Sequence, residues 1–155
     1  MEQLDALNQV AEFHRTFRHP VEPSPLIPAP ERCRLRVALL REELQELEDA
    51  IAADDLVEVA DALCDLQYVL AGAVLEFGLG DRFRRLFDEV QRSNMSKTCA
   101  TPAEAEATAE HYRRRGTECY VERSGDHWLV YRDGDRKTMK SINYSPANLA
   151  DLLAQ

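Results

Sequence analysis

Apolar residues recur at intervals of three and four along most of the N-terminal two thirds of the chain, the period of helices that each bury one stripe. Leu4, Leu7, Val10, Phe13 and Phe17 predict a first helix over 3–17. Pro20, Pro23, Pro25, Pro28 and Pro30 then forbid regular structure and leave an extended connector. From Glu31 to Ile51, Val37, Leu40, Leu44, Leu47 and Ile51 form a helical seam. A second long helix, about 55–77, carries Leu56, Val59, Leu63, Leu66, Leu70 and Val74, all expected to pack inward. Between them Ala52 to Asp55 is a short turn, with Asp54 or Asp55 as the cap of the second helix. Gly78 and Gly80 close that helix, and Asp81 opens another that carries Phe83, Leu86, Phe87 and Val90 and ends near Asn94.

Thr101, Pro102 and Glu104 spell a capping box with proline at the first helical position, so a further helix runs to Arg115 and stops at Gly116. The period then changes. Glu118 to Arg123 and His127 to Arg132, rich in Tyr, Val and Trp around Ser124, Gly125 and Asp126, predict a β-hairpin. A turn over 133–136, a short strand over 137–141 and a terminal helix over 146–154 complete the expectation. The fold class is mainly α, a helical-hairpin core with a small C-terminal β-hairpin, read as one domain over 1–155 with its core at about 31–97 and an elaboration over 99–155.

Composition narrows the function. The chain has 155 residues, 30% of them charged, and a net charge of -9, which repels a phosphate backbone and argues against a nucleic-acid polymer as partner. No stretch approaches the roughly 20 apolar residues of a membrane span, and the acidic start (Glu2, Asp5) is unlike a signal peptide, so neither a membrane nor export is expected and the cytoplasm is the expected location. Cys33, Cys64, Cys99 and Cys119 make no C-x-x-C pair, and His14, His19, His111 and His127 show no zinc spacing; reduced, mostly buried thiols are expected.

The informative feature is charge segregation. No Lys or Arg occurs between Arg41 and Arg82, while ten acidic side chains fall from Glu42 to Asp65. A solvated helix face normally mixes both signs at i and i+4. Glu43 and Glu46 flank the buried stripe of the first long helix, and Glu58, Asp61 and Asp65 share one narrow strip of the second. Folding the hairpin at its turn pairs residues whose numbers sum to about 107, which sets Glu46 opposite Asp61 and Glu42 or Glu43 opposite Asp65. Facing carboxylates need protonation or a cation, and oxygen ligands without His or Cys select a hard ion, Mg²⁺ or Mn²⁺. An acidic outer face that only solvates the hairpin is the plain alternative.

Glu42-Glu43-Leu44-Gln45-Glu46, followed by Glu58-Val59-Ala60-Asp61, resembles the E-E-x-x-E then E-x-x-D signature of the all-α nucleoside triphosphate pyrophosphohydrolases, the MazG, dimeric dUTPase and phosphoribosyl-ATP pyrophosphohydrolase group. Ala62 to Val69 with Gly72, then Ser93-Asn94-Met95-Ser96-Lys97, is similar to the phosphoribosyl-ATP pyrophosphohydrolase-like branch. The resemblance implies a MazG-like helical hairpin and a Mg²⁺-dependent hydrolase that cleaves between the α and β phosphates, giving a nucleoside monophosphate and pyrophosphate. It further implies Glu43, Glu46, Glu58 and Asp61 as metal ligands and Glu42 as the group that orients or deprotonates water. Asp65, Asn94, Lys97 and Lys140 fall on the substrate side, with Arg92 and Lys137 as further candidate cations.

Phe13, Phe17 and Tyr68 could stack on a base, but aromatic residues at helical spacing are expected in the core, and Trp128 is expected to be packing. A homodimer or higher homo-oligomer is expected, because a helical hairpin with short companions has apolar surface on more than one side. The rival from a different class is a non-catalytic acidic helical module that binds metal or a basic protein.

Overall fold

A computed structural model describes residues 4–154. The chain is mainly helical with one small antiparallel hairpin, in the order α1 (Ala6–Thr16), α2 (Pro30–Ala52), α3 (Leu56–Glu76), a 3-10 turn (Gly80–Arg82), α4 (Phe83–Met95), α5 (Pro102–Arg113), β1 (Cys119–Ser124), β2 (His127–Arg132) and α6 (Leu149–Leu153). It forms two compact units, one up to Phe83 and one from Arg84 onward. Among the described residues no single helix is long and apolar enough to cross a membrane.

In the first unit α2 and α3 form the antiparallel hairpin, and α1 packs on α3. Asp55 is the cap: its carboxylate accepts from the Val57 and Glu58 amides, satisfying donors that the first turn of α3 leaves free. Pro30, assigned to the connector in the sequence, instead starts α2, where its missing N–H costs nothing and its fixed φ suits the helix. The expected start of the first helix at position 3 lies outside the described residues; within them it runs from Ala6. Its core contains Val10, Ala11, Ala71 and Leu75. The connector is tied beside the end of α3 by the Glu22 amide to the Leu75 carbonyl and the Leu26 amide to the Phe77 carbonyl. Gly78, at φ +66°, makes that possible, since a Cβ there would fall 1.8 Å from the Ser24 carbonyl oxygen.

The inward packing expected of both hairpin seams is half wrong. Leu40, Leu47, Val59 and Leu66 are partly covered and Val74 is buried, but Val37, Leu44 and Ile51 on α2 and Leu56, Leu63 and Leu70 on α3 are between 43% and 80% exposed. Each exposed set repeats every seventh residue, so each is one stripe along its helix. In an antiparallel hairpin the stripes fall on the same side, away from the acidic strips. The buried side chains of α2 are only Arg36 and Ala50. Two helices cannot enclose both flanks of a stripe this wide, which is the physical reason for the difference.

The second unit packs α5 against the hairpin. Cys99, Ala105, Ala109, Cys119 and Val130 form its core, with Tyr112, Val121, Trp128 and Met139 around them, so Trp128 is packing as expected. Thr101 caps α5 by accepting from the Glu104 amide, and Glu104 returns to the Ala100 amide at 2.9 Å. In the β-hairpin Ser124 pairs His127 across Gly125 and Asp126, with Gly125 at φ +57°. The expected third strand over 137–141 does not form; only the bridge between Tyr131 and Thr138 survives. The terminal helix is shorter than expected, Leu149–Leu153. Of the cysteines, all free, Cys99 and Cys119 are buried, Cys33 is partly covered and Cys64 is exposed.

Candidate functional site

Glu46, Glu58 and Asp61 line one cleft of about 400 Å³ near the hairpin turn, together with Asp49 and Asp55. One level further from the turn, Glu43 and Asp65 line a second cleft of about 310 Å³. These levels match the pairing expected from the sum rule. The Glu43 carboxyl is pushed above the usual carboxylate range, first by partial burial and then by the charges of Glu46, Asp65 and Glu42. Glu42 and Glu46 are exposed, whereas Glu43 and Asp65 are partly covered. The hairpin therefore gathers Glu42, Glu43, Glu46, Glu58, Asp61 and Asp65 on the flank opposite its apolar stripes, with Asp49 and Asp55 beside them near the turn.

Among the described residues no three His, Cys, Asp or Glu side chains stand close enough to hold a metal ion as they are. The donor chemistry still suits a hard cation: every candidate is a carboxylate, the two strips face each other, and like charge accumulates at Glu43. Glutamate side chains on exposed helix faces move among rotamers at small cost, so a divalent ion can draw them together.

Beside Glu43 lies a group of residues that sequence reasoning missed. Glu76, near the C-terminal end of α3, is 1% exposed and receives hydrogen bonds from both Arg32 and Arg36. Arg32 Nε also donates to its second oxygen at 3.2 Å. Burial alone would raise the Glu76 pKa, but the two guanidinium groups hold it below the usual range. Gly72 gives Arg36 its room, because a Cβ at position 72 would sit 2.8 Å from Arg36 Nη1 and 3.0 Å from His14 Nε2. A lone acid at the end of an apolar helix, with two arginines at i and i+4 on the partner helix, was the available signal.

Phe13, Phe17 and Tyr68, expected in the core, are not there: they are 37%, 60% and 38% exposed. Phe13 meets Tyr68 edge-on at 5.6 Å and lies nearly parallel to His19 at 5.9 Å between centroids.

Asn94, Lys97 and Lys140 belong to the second unit, where they form their own group. Lys97 Nζ donates to Asn94 Oδ1 at 2.8 Å, and Lys140 Nζ stands 4.3 Å from the centre of the Tyr144 ring. Tyr144 Oη is 3.0 Å from Ser93 Oγ, and the phenol is made more acidic by that hydrogen bond and by the charges of Lys140, Lys97 and Arg92. Arg92 also binds Glu89 and the Pro146 carbonyl. Lys137 belongs elsewhere, beside Asp135. The contact between Ser93 and Tyr144 spans 51 residues, so no local pattern pairs the two.

The profile of the phosphoribosyl-ATP pyrophosphohydrolase family matches residues 10–94, a span that holds Glu42, Glu43, Glu46, Glu58, Asp61 and Asp65 as well as His14, Arg36 and Glu76. The uncharacterized protein L479 of Acanthamoeba polyphaga mimivirus is 24% identical, in an alignment that covers 93% of this chain and 94% of that protein.

Proposed function

The chain belongs to the phosphoribosyl-ATP pyrophosphohydrolase family, and on that premise we propose that it is a Mg²⁺-dependent pyrophosphohydrolase of a nucleoside triphosphate, releasing a nucleoside monophosphate and pyrophosphate. The observation that carries the reading is the accumulation of like charge at Glu43 by Glu42, Glu46 and Asp65 on facing helices of the family-matched hairpin. Folding that places carboxylates this way opposes itself unless the face binds cations.

Glu43, Glu46, Glu58 and Asp61 are the residues that would hold Mg²⁺ or Mn²⁺. When bound, such an ion offsets the charge of the carboxylates, polarises a phosphoryl oxygen and lowers the pKa of water. Glu42, exposed beside them, accepts the proton of the attacking water and orients its lone pair toward the α phosphorus. The bond between the α phosphorus and the bridging oxygen breaks, and the electron pair leaves with pyrophosphate. Lys97, Lys140 and Arg92 of the second unit are the proposed cations for the phosphates, and Asn94 suits a sugar hydroxyl. A second copy of the chain covers the apolar stripes at Val37, Leu44, Ile51, Leu56, Leu63 and Leu70, making a homodimer the working assembly. The cytoplasm is the proposed location, consistent with four unpaired thiols.

The test is turnover of the natural ribo- and deoxyribonucleoside triphosphates with Mg²⁺, separating monophosphate from diphosphate products. Pyrophosphate release that disappears in Glu46→Gln and Asp61→Asn is expected. Absence of turnover on every nucleotide, with Mg²⁺ and KCl raising the melting temperature equally at matched ionic strength, would leave a solvated acidic module instead.

A further inference from the structure

The cleft of about 310 Å³ in the first unit combines features that no acidic metal face requires. One wall is aromatic, with Phe13, His19 and Tyr68 lining it; Glu43 and Asp65 line it as well, so it is continuous with the acidic strip. Arg36 also lines it, is 7% exposed, and carries a buried Nε without any hydrogen-bond partner. Its Nη2 is occupied by Glu76 and by His14 Nε2 at 3.3 Å.

A buried guanidinium N–H without an acceptor is costly, and native proteins rarely keep one unless something else completes it. Packing does not explain the aromatic wall either, since Phe13 and Tyr68 remain more than a third exposed while meeting edge to face. A flat ring can lie on an exposed aromatic face, and a carbonyl or ring nitrogen on the edge of that ring would satisfy a lone donor.

We propose that this cleft receives a planar heterocycle with a hydrogen-bond acceptor on its edge, the base of the nucleotide, with Phe13 and Tyr68 as the stacking surface and Arg36 Nε as the edge donor. This rests on the reading of the protein as a nucleotide pyrophosphohydrolase and adds where the base sits and what selects it. Glu76 and Gly72 are then positioning residues: one anchors the Arg36 guanidinium from behind, and the other leaves the space in which it lies.

The test uses nucleosides, which carry no phosphate and need no metal, titrated into ¹⁵N-labelled protein beside 2-deoxyribose as the base-free probe. Saturable shifts at Phe13, His19, Tyr68 and the Arg36 Nε–H are expected with at least one of the four deoxynucleosides, and none with deoxyribose. Phe13→Ala and Tyr68→Ala, whose exposed rings make them safe for folding, should each weaken that nucleoside by roughly 5- to 150-fold. Arg36→Lys should weaken it too, and a folded Arg36→Lys that binds as the parent does would remove the edge donor from the proposal. Shifts that map elsewhere, or equal affinity in both aromatic variants and the parent, would overturn it. Nucleotide turnover without nucleoside binding defeats the cleft alone, whereas nucleoside binding in the cleft without any turnover defeats the hydrolase reading alone.

Discussion

His14 Nδ1 lies 2.8 Å from the carbonyl oxygen of Pro20, and that contact fixes the tautomer of a ring that is 3% exposed. A carbonyl only accepts, so Nδ1 carries the proton, and Nε2 presents its lone pair to the Arg36 Nη2 donor at 3.3 Å. Burial first, then the neighbouring charges of Arg36 and His19, hold the His14 pKa below 6.5 against the opposing pull of Pro20 and Glu76.

The unfolded chain takes up a proton at His14 near its ordinary pKa of 6.5, while the native ring stays neutral to lower pH. The unfolded state then binds more protons, so stability is lost as pH falls below 6.5, by at most about 1.4 kcal/mol per pH unit for one proton. Melting scans from pH 7.5 to 5.5 should show a falling midpoint. His14→Gln should melt lower at pH 7.5 but with a flatter profile, and an unchanged slope would place the proton on another group.

Glu76→Gln should be among the most damaging substitutions in the first unit. It leaves the buried Arg36 charge without its carboxylate, a loss of about 3–5 kcal/mol for such pairs, read by urea unfolding. Adding Arg36→Met to Glu76→Gln should recover part of it, since the unpaired charge is then gone.

Two glycines should respond differently to alanine. At Gly78 the new Cβ meets backbone, the Ser24 carbonyl, in a left-handed conformation, and neither can yield, so Gly78→Ala should prevent the connector from docking on α3. At Gly72 the obstacle is the end of the Arg36 side chain, so Gly72→Ala should fold with a loss of about 1–3 kcal/mol as the guanidinium shifts. Calorimetric melting of the two variants distinguishes them.

Leu44→Glu and Leu63→Glu should convert a dimer into monomers in sedimentation velocity without loss of helical circular dichroism. Both positions are about half exposed in the single chain, so a folding defect is not expected from either. Monomers in the parent protein would remove the second copy from the apolar face.

Lys97→Ala should weaken a non-hydrolysable triphosphate analogue by roughly 10- to 150-fold and the monophosphate far less, measured by calorimetric titration with Mg²⁺. Equal losses would move the outer-phosphate role to Lys140 or Arg92, which share the surroundings of Tyr144.

What the sequence conveyed was local. Asp55, the Thr101 to Glu104 box and the Gly125-Asp126 turn each act within four residues, so their chemistry is written where it operates. The pairing of acidic levels across the hairpin was legible too, because one short turn sets the register of both helices. The hidden parts depend on distant partners. Which side of the α2 stripe is covered depends on what packs there, and α1 covers α3 instead. Glu76 lies 40 residues from Arg36 and Ser93 lies 51 from Tyr144, separations at which no period or motif carries information. The third strand failed for a related reason: after the Met139 amide bonds the Val130 carbonyl, the chain leaves the β2 ladder and turns toward Ser141, whose hydroxyl binds Glu104 of α5.

The proline connector has a bearing on solubility. An extended segment with free amides is an open edge onto which a neighbouring chain can add a strand. Here Pro23 and Pro25 have no amide to offer, and the amides of Glu22 and Leu26 are already committed to the carbonyls of Leu75 and Phe77. Gly78, next to Phe77 in the chain, packs closely against the Ser24 carbonyl. The longest run of non-helical chain in the first unit is therefore poorly suited to template cross-chain pairing, even though it crosses the surface in the extended form that such pairing exploits.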